Sequence, residues 1–339
     1  MRTILRSLLL ALCCCAVIAT TGCATKRPYI ENSAKRGLHP FTHPKKKGPA
    51  DQLRYTDKLY EDGRIRAARK QYYALLVYWP ESTEAARAQL QYATILDNKG
   101  KRLKAFDEYQ RLFERYTGLF PYEQVLNRQF EIATNLMVTK KGKFLFLPGF
   151  AAPERAIPLY ESIMTNAPQW ERAAEVQYLI GHAYDLSLQF EEAVTSFMIV
   201  QQRYPLSPFA EKAGYDAAYC FYRLAQENPN NEQMLEGAWT SLAVFLNAYP
   251  DSEKAEIVKG YRNTVLRQRA KLAYDKARYY DILAKKPKAA LIAYRALVAQ
   301  FPHSDWTGLA QIRIDALSKL VPPDDIHEEA ASPGKEDGT

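Results

Sequence analysis

Cysteine is scarce in this 339-residue chain: five in all, three of which, Cys13, Cys14 and Cys15, stand together in one apolar run near the N-terminus. Cys23 and Cys220 are what remain, too few for a disulfide framework even in an oxidising compartment. Cys220 sits in the apolar helical stretch GYDAAYCFYRLA and reads as a small packing residue. Catalytic signatures are missing as well. There is no G-x-S-x-G, no phosphate-cradling glycine loop and no H-E-x-x-H, and His39, His43, His182, His303 and His327 have no ligand spacing. These absences leave no residue to assign to catalysis, to a metal or to a cofactor, and the chain reads as a protein that is not an enzyme. A long hydrophobic run is lacking too, since Ser7 to Ile18 is too short to span a bilayer permanently.

What is present begins with MRTILRSLLLALCCCAVIATTGC. Arg2 and Arg6 precede an apolar run that ends in Thr20, Thr21, Gly22 and Cys23, so residues 1–22 read as a signal peptide. The ending resembles the lipobox of bacterial lipoproteins, with Thr20 where an aliphatic residue is usual. That resemblance implies lipidation of Cys23, and Ala24 after it resembles an outer-membrane sorting signal. Two or three acyl chains give a stable anchor, so the protein is expected on the inner leaflet of an outer membrane, facing the periplasm.

Residues 23–50 read as a lipidated cysteine and a flexible basic tether, because Pro28, Pro40, Pro44 and Pro49 interrupt a stretch with no helical period. Formal charge sharpens this reading. The whole chain carries +8, which falls to +6 without Arg2 and Arg6, and residues 24–50 alone hold seven Lys and Arg against Glu31. The tether thus accounts for the entire excess, and the basic balance is no sign of a nucleic-acid partner. The Pro-rich acidic segment 321–339 reads as a disordered tail.

Between tether and tail, one spacing recurs. Ala68, Tyr72 and Pro80 are separated by 4 and 8 residues, as are Ala156, Tyr160, Pro168; Ala193, Phe197, Pro205; Ala238, Leu242, Pro250; and Ala290, Tyr294, Pro302. A sixth copy, Ala105, Tyr109, Thr117, lacks only the proline. The alanine admits a close helix crossing, the large residue one turn later fills the groove, and the proline ends the helix because it cannot donate a backbone hydrogen bond. Ser82, Ser207, Ser252 and Ser304 follow as candidate N-caps, and Asp62-Gly63 and Asn98 to Gly100 mark turns inside hairpins. This pattern, with Gly181 and Tyr184 before Ala193, Phe197 and Pro205, resembles the tetratricopeptide repeat. The expected fold is an all-α, tetratricopeptide-repeat-like α-solenoid over residues 51–320, with about six helical hairpins and a capping helix from Ser304 to Leu320.

In such arrays the first helices line the ligand face. The repeat register places Leu53, Asp57, Tyr60, Arg87, Leu90, Thr94 and Asp97 there, a mixed-charge and aromatic lining suited to an extended peptide. The insertion TKKGKFLFLPGFAAPE adds Phe144, Phe146 and Phe150 as a candidate docking loop or a segment folded back on the array.

The lipobox, the short tether and the opening YTDKLYEDGRIRAARKQYYALLVYWPES together resemble the start of the BamD family of outer-membrane assembly lipoproteins, as LAYDKARYYDILAKKPKAALIAYRALVAQFPHSDW resembles that family's last repeat. The insertion and extra length depart from the family. The resemblance implies two partners: C-terminal segments of unfolded outer-membrane proteins in the N-terminal half, and a BamA-like β-barrel insertase on the C-terminal half. Arg269, Tyr274, Arg278 and Tyr279 are the residues that the resemblance suggests for insertase docking. A scaffold for a secretion, cell-wall or division complex remains the alternative.

Overall fold

The computed structural model describes residues 43–139 and 152–321, and all regular structure among them is helical. The signal peptide, Cys23, most of the tether, the loop bearing Phe144, Phe146 and Phe150, and the tail from residue 322 lie outside the described residues. The chain divides into two compact units, Met1–Gln169 and Trp170–Thr339. The first unit pairs α1 (Pro49–Glu61) with α2 (Ile65–Tyr78), α3 (Thr83–Asn98) with α4 (Arg102–Arg115), and α5 (Tyr122–Val138) with α6 (Ile157–Asn166). The second pairs α7 (Ala173–Leu186) with α8 (Phe190–Arg203), α9 (Ala210–Glu227) with α10 (Glu232–Ala248), and α11 (Ala255–Arg278) with α12 (Pro287–Gln300), and ends with α13 (Thr307–Leu317). This is an all-α arrangement of helical hairpins closed by a single helix.

The recurring alanine and large residue are the closure of each hairpin. All six alanines are fully buried, and Tyr72, Tyr109, Tyr160, Phe197, Leu242 and Tyr294 are no more than 4% exposed. Each second helix stops two residues before the position of the proline, at Tyr78, Asn166, Arg203, Ala248 and Gln300. The intervening residue has left the helical region, with φ between −141° and −130°, as the residue before a proline must.

Where the large residue is tyrosine, its hydroxyl reaches a polar side chain of the preceding helical segment. Tyr72 donates to Asp57 Oδ1 at 2.6 Å, Tyr160 lies 3.1 Å from Thr134 Oγ1, and Tyr294 donates to Asp281 Oδ2 at 3.3 Å. Burial, then the Asp57 bond and charge, push the Tyr72 phenol far above its ordinary range. Phe197 has no hydroxyl to anchor, and here the first helix approaches closely instead. An added Cβ at Gly181 would fall 2.7 Å from two of the Phe197 ring carbons.

A second device, also periodic, is polar. Gln52, Gln89 and Gln177, each 16 residues before its repeat alanine, are buried on a first helix. Their amides donate to the carbonyls of Gln71 at 3.4 Å, Glu108 at 2.7 Å and Ser196 at 3.3 Å, tying the first helix to the second at the same place in three hairpins. Buried amides require such partners.

Inside the hairpins the first helix ends in a common turn. Arg64 N–H bonds Leu59 O and Lys101 N–H bonds Leu96 O, each at 2.9 Å, with Gly63 and Gly100 at φ 73° and 70°. The fourth hairpin repeats this turn, Gln189 N–H to Tyr184 O at 3.0 Å, but its left-handed residue is Leu188, at φ 59°. A leucine there is strained, because its Cβ crowds the backbone.

The structure corrects two sequence expectations. Of the serines after the prolines, Ser252 alone takes a backbone N–H at the helix entry, from Lys254 at 3.1 Å, whereas Ser82 Oγ donates backward to Trp79 O at 3.0 Å, and Ser207 and Ser304 precede their helices by three residues without such a bond. Their N–H groups bond the aromatic carbonyl three residues back, and their own carbonyls accept from the residue three ahead, so each serine joins two tight turns. The linker boundary also moves. Helix α1 starts at Pro49, and the Lys45 and Lys46 backbone N–H groups donate to the side-chain Oε1 of Gln52 at 2.9 and 3.0 Å, because that fully buried side chain needs donors.

Two substitutions test these contacts by denaturant unfolding. Gly181→Ala should cost about 1–3 kcal/mol through overpacking against a fully buried ring, and Phe197→Leu should recover part of the loss. Leu188→Gly should add up to about 1 kcal/mol, since it relieves a left-handed leucine that is otherwise exposed.

Candidate functional site

In the first unit, acidic and basic side chains alternate along the first helices. Asp57 on α1 accepts from Tyr72 and pairs with Arg87 on α3 at 3.1 Å. Asp97, at the end of α3, accepts a two-pronged pair from the Arg128 guanidinium on α5, through Nε and through Nη2 at 2.9 Å, and Arg128 also bonds Glu131. The two pairs differ in solvation. The Asp97 side chain is 3% exposed, whereas Arg87 is 63% exposed. Hydrogen bonding to Asp97 outweighs desolvation and drives the Arg128 guanidinium still further into its charged form.

These pairs shape a half-open cleft of about 400 Å³ between α3 and α5, lined by Leu90, Thr94 and Asp97 on one side and by Gln124, Arg128 and Glu131 on the other. Thr94 Oγ1 donates to Leu90 O at 2.9 Å and lies 3.4 Å from the Tyr109 hydroxyl. The structure therefore brings together Leu90, Thr94 and Asp97 from the set read off the repeat register. Asp57, bonded to the Tyr72 hydroxyl and paired with Arg87, does not line this cleft, nor do Arg87 and Tyr60. Sequence reasoning missed Arg128. Its signal is the spacing from an acid late in one first helix to an arginine 30–32 residues on, shared by Asp57–Arg87, Asp97–Arg128 and Asp281–Arg313.

The cleft offers an apolar wall, side-chain amides and paired charges of both signs, which suits an extended chain with its unpaired backbone groups. No group of three or more His, Cys, Asp or Glu among the described residues could hold a metal ion. Cys220 is buried, its thiol raised by burial and by Asp185, whose carboxylate it faces at 3.6 Å. Such a thiol is a poor nucleophile.

The second unit separates the residues suggested for docking. Arg269 is an internal brace: it pairs with Glu236 on α10 while its guanidinium lies 5.2 Å from the Trp239 ring centroid and 5.8 Å from that of Phe301. Tyr274 stacks on Trp306 at 5.1 Å and packs against the core cluster of α12 and α13. Only Arg278 and Tyr279 are exposed, because a helix turning 100° per residue cannot present all four on one side.

After Arg278, α11 widens into a π-helical turn, Tyr279–Leu283, closed by Ala284 N–H to Tyr279 O at 2.9 Å. The turn pushes Tyr279, Ile282 and Leu283 outward, Leu283 being 73% exposed. Asp281 holds it in place, accepting from Arg313 Nε at 2.7 Å and Nη2 at 2.8 Å and from Tyr294. Arg313 keeps the Asp281 carboxyl below its ordinary range, and burial followed by the Asp281 charge pushes the Tyr294 phenol up to about 12. The apolar residues were visible in YYDIL; the bulge that exposes them was not.

Residues 170–327 match the family model YfiO, described as an outer membrane lipoprotein, and the match starts where the second unit starts. No curated relative matches the chain. Among solved structures, it is similar to the C-terminal part of a TPR repeat-containing protein from Cytophaga hutchinsonii, at 20% identity and TM-score 0.31, over 78% of this chain and 88% of that one. It is also similar to a thermophilic TPR protein from Thermus thermophilus, at 16% identity and TM-score 0.28, over 65% and 99%. A tetratricopeptide repeat protein from Parabacteroides merdae follows, at 14% and 0.29, over 79% and 98%.

Two measurements check the electrostatic assignments. Arg128→Ala should destabilise the first unit by about 2–3 kcal/mol, since it strands a buried carboxylate. Arg87→Ala should cost under about 1 kcal/mol, because that pair is solvent-screened. A depressed carboxyl stabilises the fold above the unfolded pKa, and this contribution is lost as pH falls through the lower folded value. Acid unfolding of the second unit should therefore steepen below the ordinary carboxylate range, and Arg313→Met should flatten that limb.

Proposed function

We propose that this protein is an outer-membrane lipoprotein of β-barrel assembly, held to the inner leaflet by acyl chains on Cys23 and acting in the periplasm by binding and handover. The observation that carries this reading is the match of residues 170–327 to an outer membrane lipoprotein family, on a chain that begins with a lipobox-like segment and folds as helical hairpins. The cleft between α3 and α5 takes C-terminal segments of unfolded outer-membrane proteins. Its side-chain amides and the Arg128–Glu131 rim meet backbone and charge, and Leu90 meets apolar side chains.

Docking on a BamA-like β-barrel insertase falls to Arg278 and Tyr279 with the exposed Ile282 and Leu283, while Arg269 and Tyr274 fix the helix that presents them. A tyrosine beside an arginine is the composition of an interface hot spot, and Ile282 and Leu283 add apolar area around it. The reading assigns no covalent chemistry, no cofactor and no nucleic-acid partner.

A mild-detergent pull-down of the tagged, lipidated protein followed by mass spectrometry tests the assignment. Near-stoichiometric recovery of the barrel insertase is expected, with recovery falling at least tenfold for Tyr279→Ala combined with Leu283→Ala. Recovery of a secretion or cell-wall complex in its place would overturn the assembly reading.

A further inference from the structure

One edge of the first unit carries a concentration of positive charge that no interaction described so far uses. Arg66 and Arg69 lie one turn apart near the start of α2, and Lys99 and Lys101 flank Gly100 in the turn from α3 to α4. Arg66, Lys99 and Lys101 are exposed. None of the four makes an ion pair among the described residues, and the buried Nε of Arg69 has no hydrogen-bond partner. Topology brings the two pairs together: α2 and α3 are joined by a short turn after Tyr78 and pack antiparallel, with the Tyr73 and Tyr92 rings in contact, so the start of α2 lies beside the end of α3. Desolvation, then Arg69, Arg66 and Lys101, pull the Lys99 ammonium below its ordinary value. Folding thus gathers like charges at one edge, where they outnumber the two acids of the adjoining turn, Glu61 and Asp62, although the chain beyond the tether has no net formal excess.

We infer that this edge docks on a bilayer surface through the phosphate groups of anionic phospholipids. Two features favour a bilayer over an acidic protein. The exposed cations sit at a helix start and in a tight turn, which meet a flat surface without needing a groove. The position of the chain also favours it, a point that rests on the proposed anchor at Cys23. Twenty residue steps separate Cys23 from His43, so the unit stays within about 70 Å of the leaflet even with that segment fully extended. Confinement raises the effective concentration of headgroups, and each cation near an anionic surface adds to the attraction until salt screens it. Docking by this edge would hold the first unit in one orientation on the membrane instead of leaving it free about its tether.

The test uses the chain from Ala24 to Thr339, which bears no lipid, so its outcome does not depend on whether Cys23 is acylated. Cosedimentation is measured with vesicles of phosphatidylglycerol in phosphatidylcholine, and with phosphatidylcholine alone. The triple variant Arg66→Glu, Lys99→Glu, Lys101→Glu should bind anionic vesicles at least tenfold more weakly than the parent, with an unchanged melting curve. A control of equal charge change in the second unit, Arg267→Glu, Arg295→Glu, Lys319→Glu, should lose less than threefold. Neutral vesicles should retain neither. Equal loss in both variants would mean that net charge alone matters, and unimpaired binding by the first triple would leave the edge to an acidic protein or to solvent. Either result overturns the proposal. Absence of acylation at Cys23, found by mass measurement of the membrane-extracted protein, would instead remove the anchor and leave the vesicle result standing.

Discussion

Each hairpin closes on one large side chain laid against an alanine that stands a turn before it and is wholly buried. Burying such a ring contributes about 1.5–3 kcal/mol, and the alanine is what allows the helices near enough for the ring to reach across. In four of the six hairpins the ring is a tyrosine. Tyr72, Tyr160 and Tyr294 carry their hydroxyls through to Asp57, Thr134 and Asp281, so the residue that packs the interior also fixes polar groups on the other helical segment. The fourth tyrosine, Tyr109, stands by Thr94 in the candidate cleft, so there the core residue also lines the candidate binding surface.

From acids late in the first helices the structure passes to its neighbours through arginine. Asp57 meets Arg87, Asp97 meets Arg128 and Asp281 meets Arg313, each arginine lying on the next helix but one. The consequences depend on burial. Around Asp97 the pair organises a cleft with polar groups at its rim, and around Asp281 it pins a π-helical turn that would otherwise be free to retract its apolar side chains. A binding protein needs such surfaces held ready before the partner arrives, because ordering them on contact would weaken affinity.

Much of this was legible in the sequence because it is a packing constraint copied six times at one spacing. Ala, the large residue and Pro are each dictated by sterics, and sterics tolerate few alternatives. Glycine likewise marked the turns at Gly63 and Gly100, but the same turn at Leu188 carried no such mark, since neighbouring helices impose the conformation there against local preference. Buried glutamines at a constant 16-residue offset recur in three of the six hairpins, yet a polar residue does not announce that it is inside. The candidate site was half legible. Register placed Leu90, Thr94 and Asp97 on one face, while Arg128 and the outward turn after Arg278 depend on contacts between hairpins and on a change of helical pitch. Arg269 and Tyr274 illustrate the limit: aromatic and cationic residues look alike in sequence whether they brace a core or meet a partner.

The central claim is that an unfolded outer-membrane protein lies between α3 and α5. Hydrogen exchange followed by mass spectrometry, with and without a C-terminal segment of an unfolded outer-membrane β-barrel protein, examines it most directly. Slowed exchange confined to Leu90–Asn98 and Gln124–Glu131 is the result this account predicts. Unchanged exchange in both stretches while the segment is demonstrably bound would contradict it.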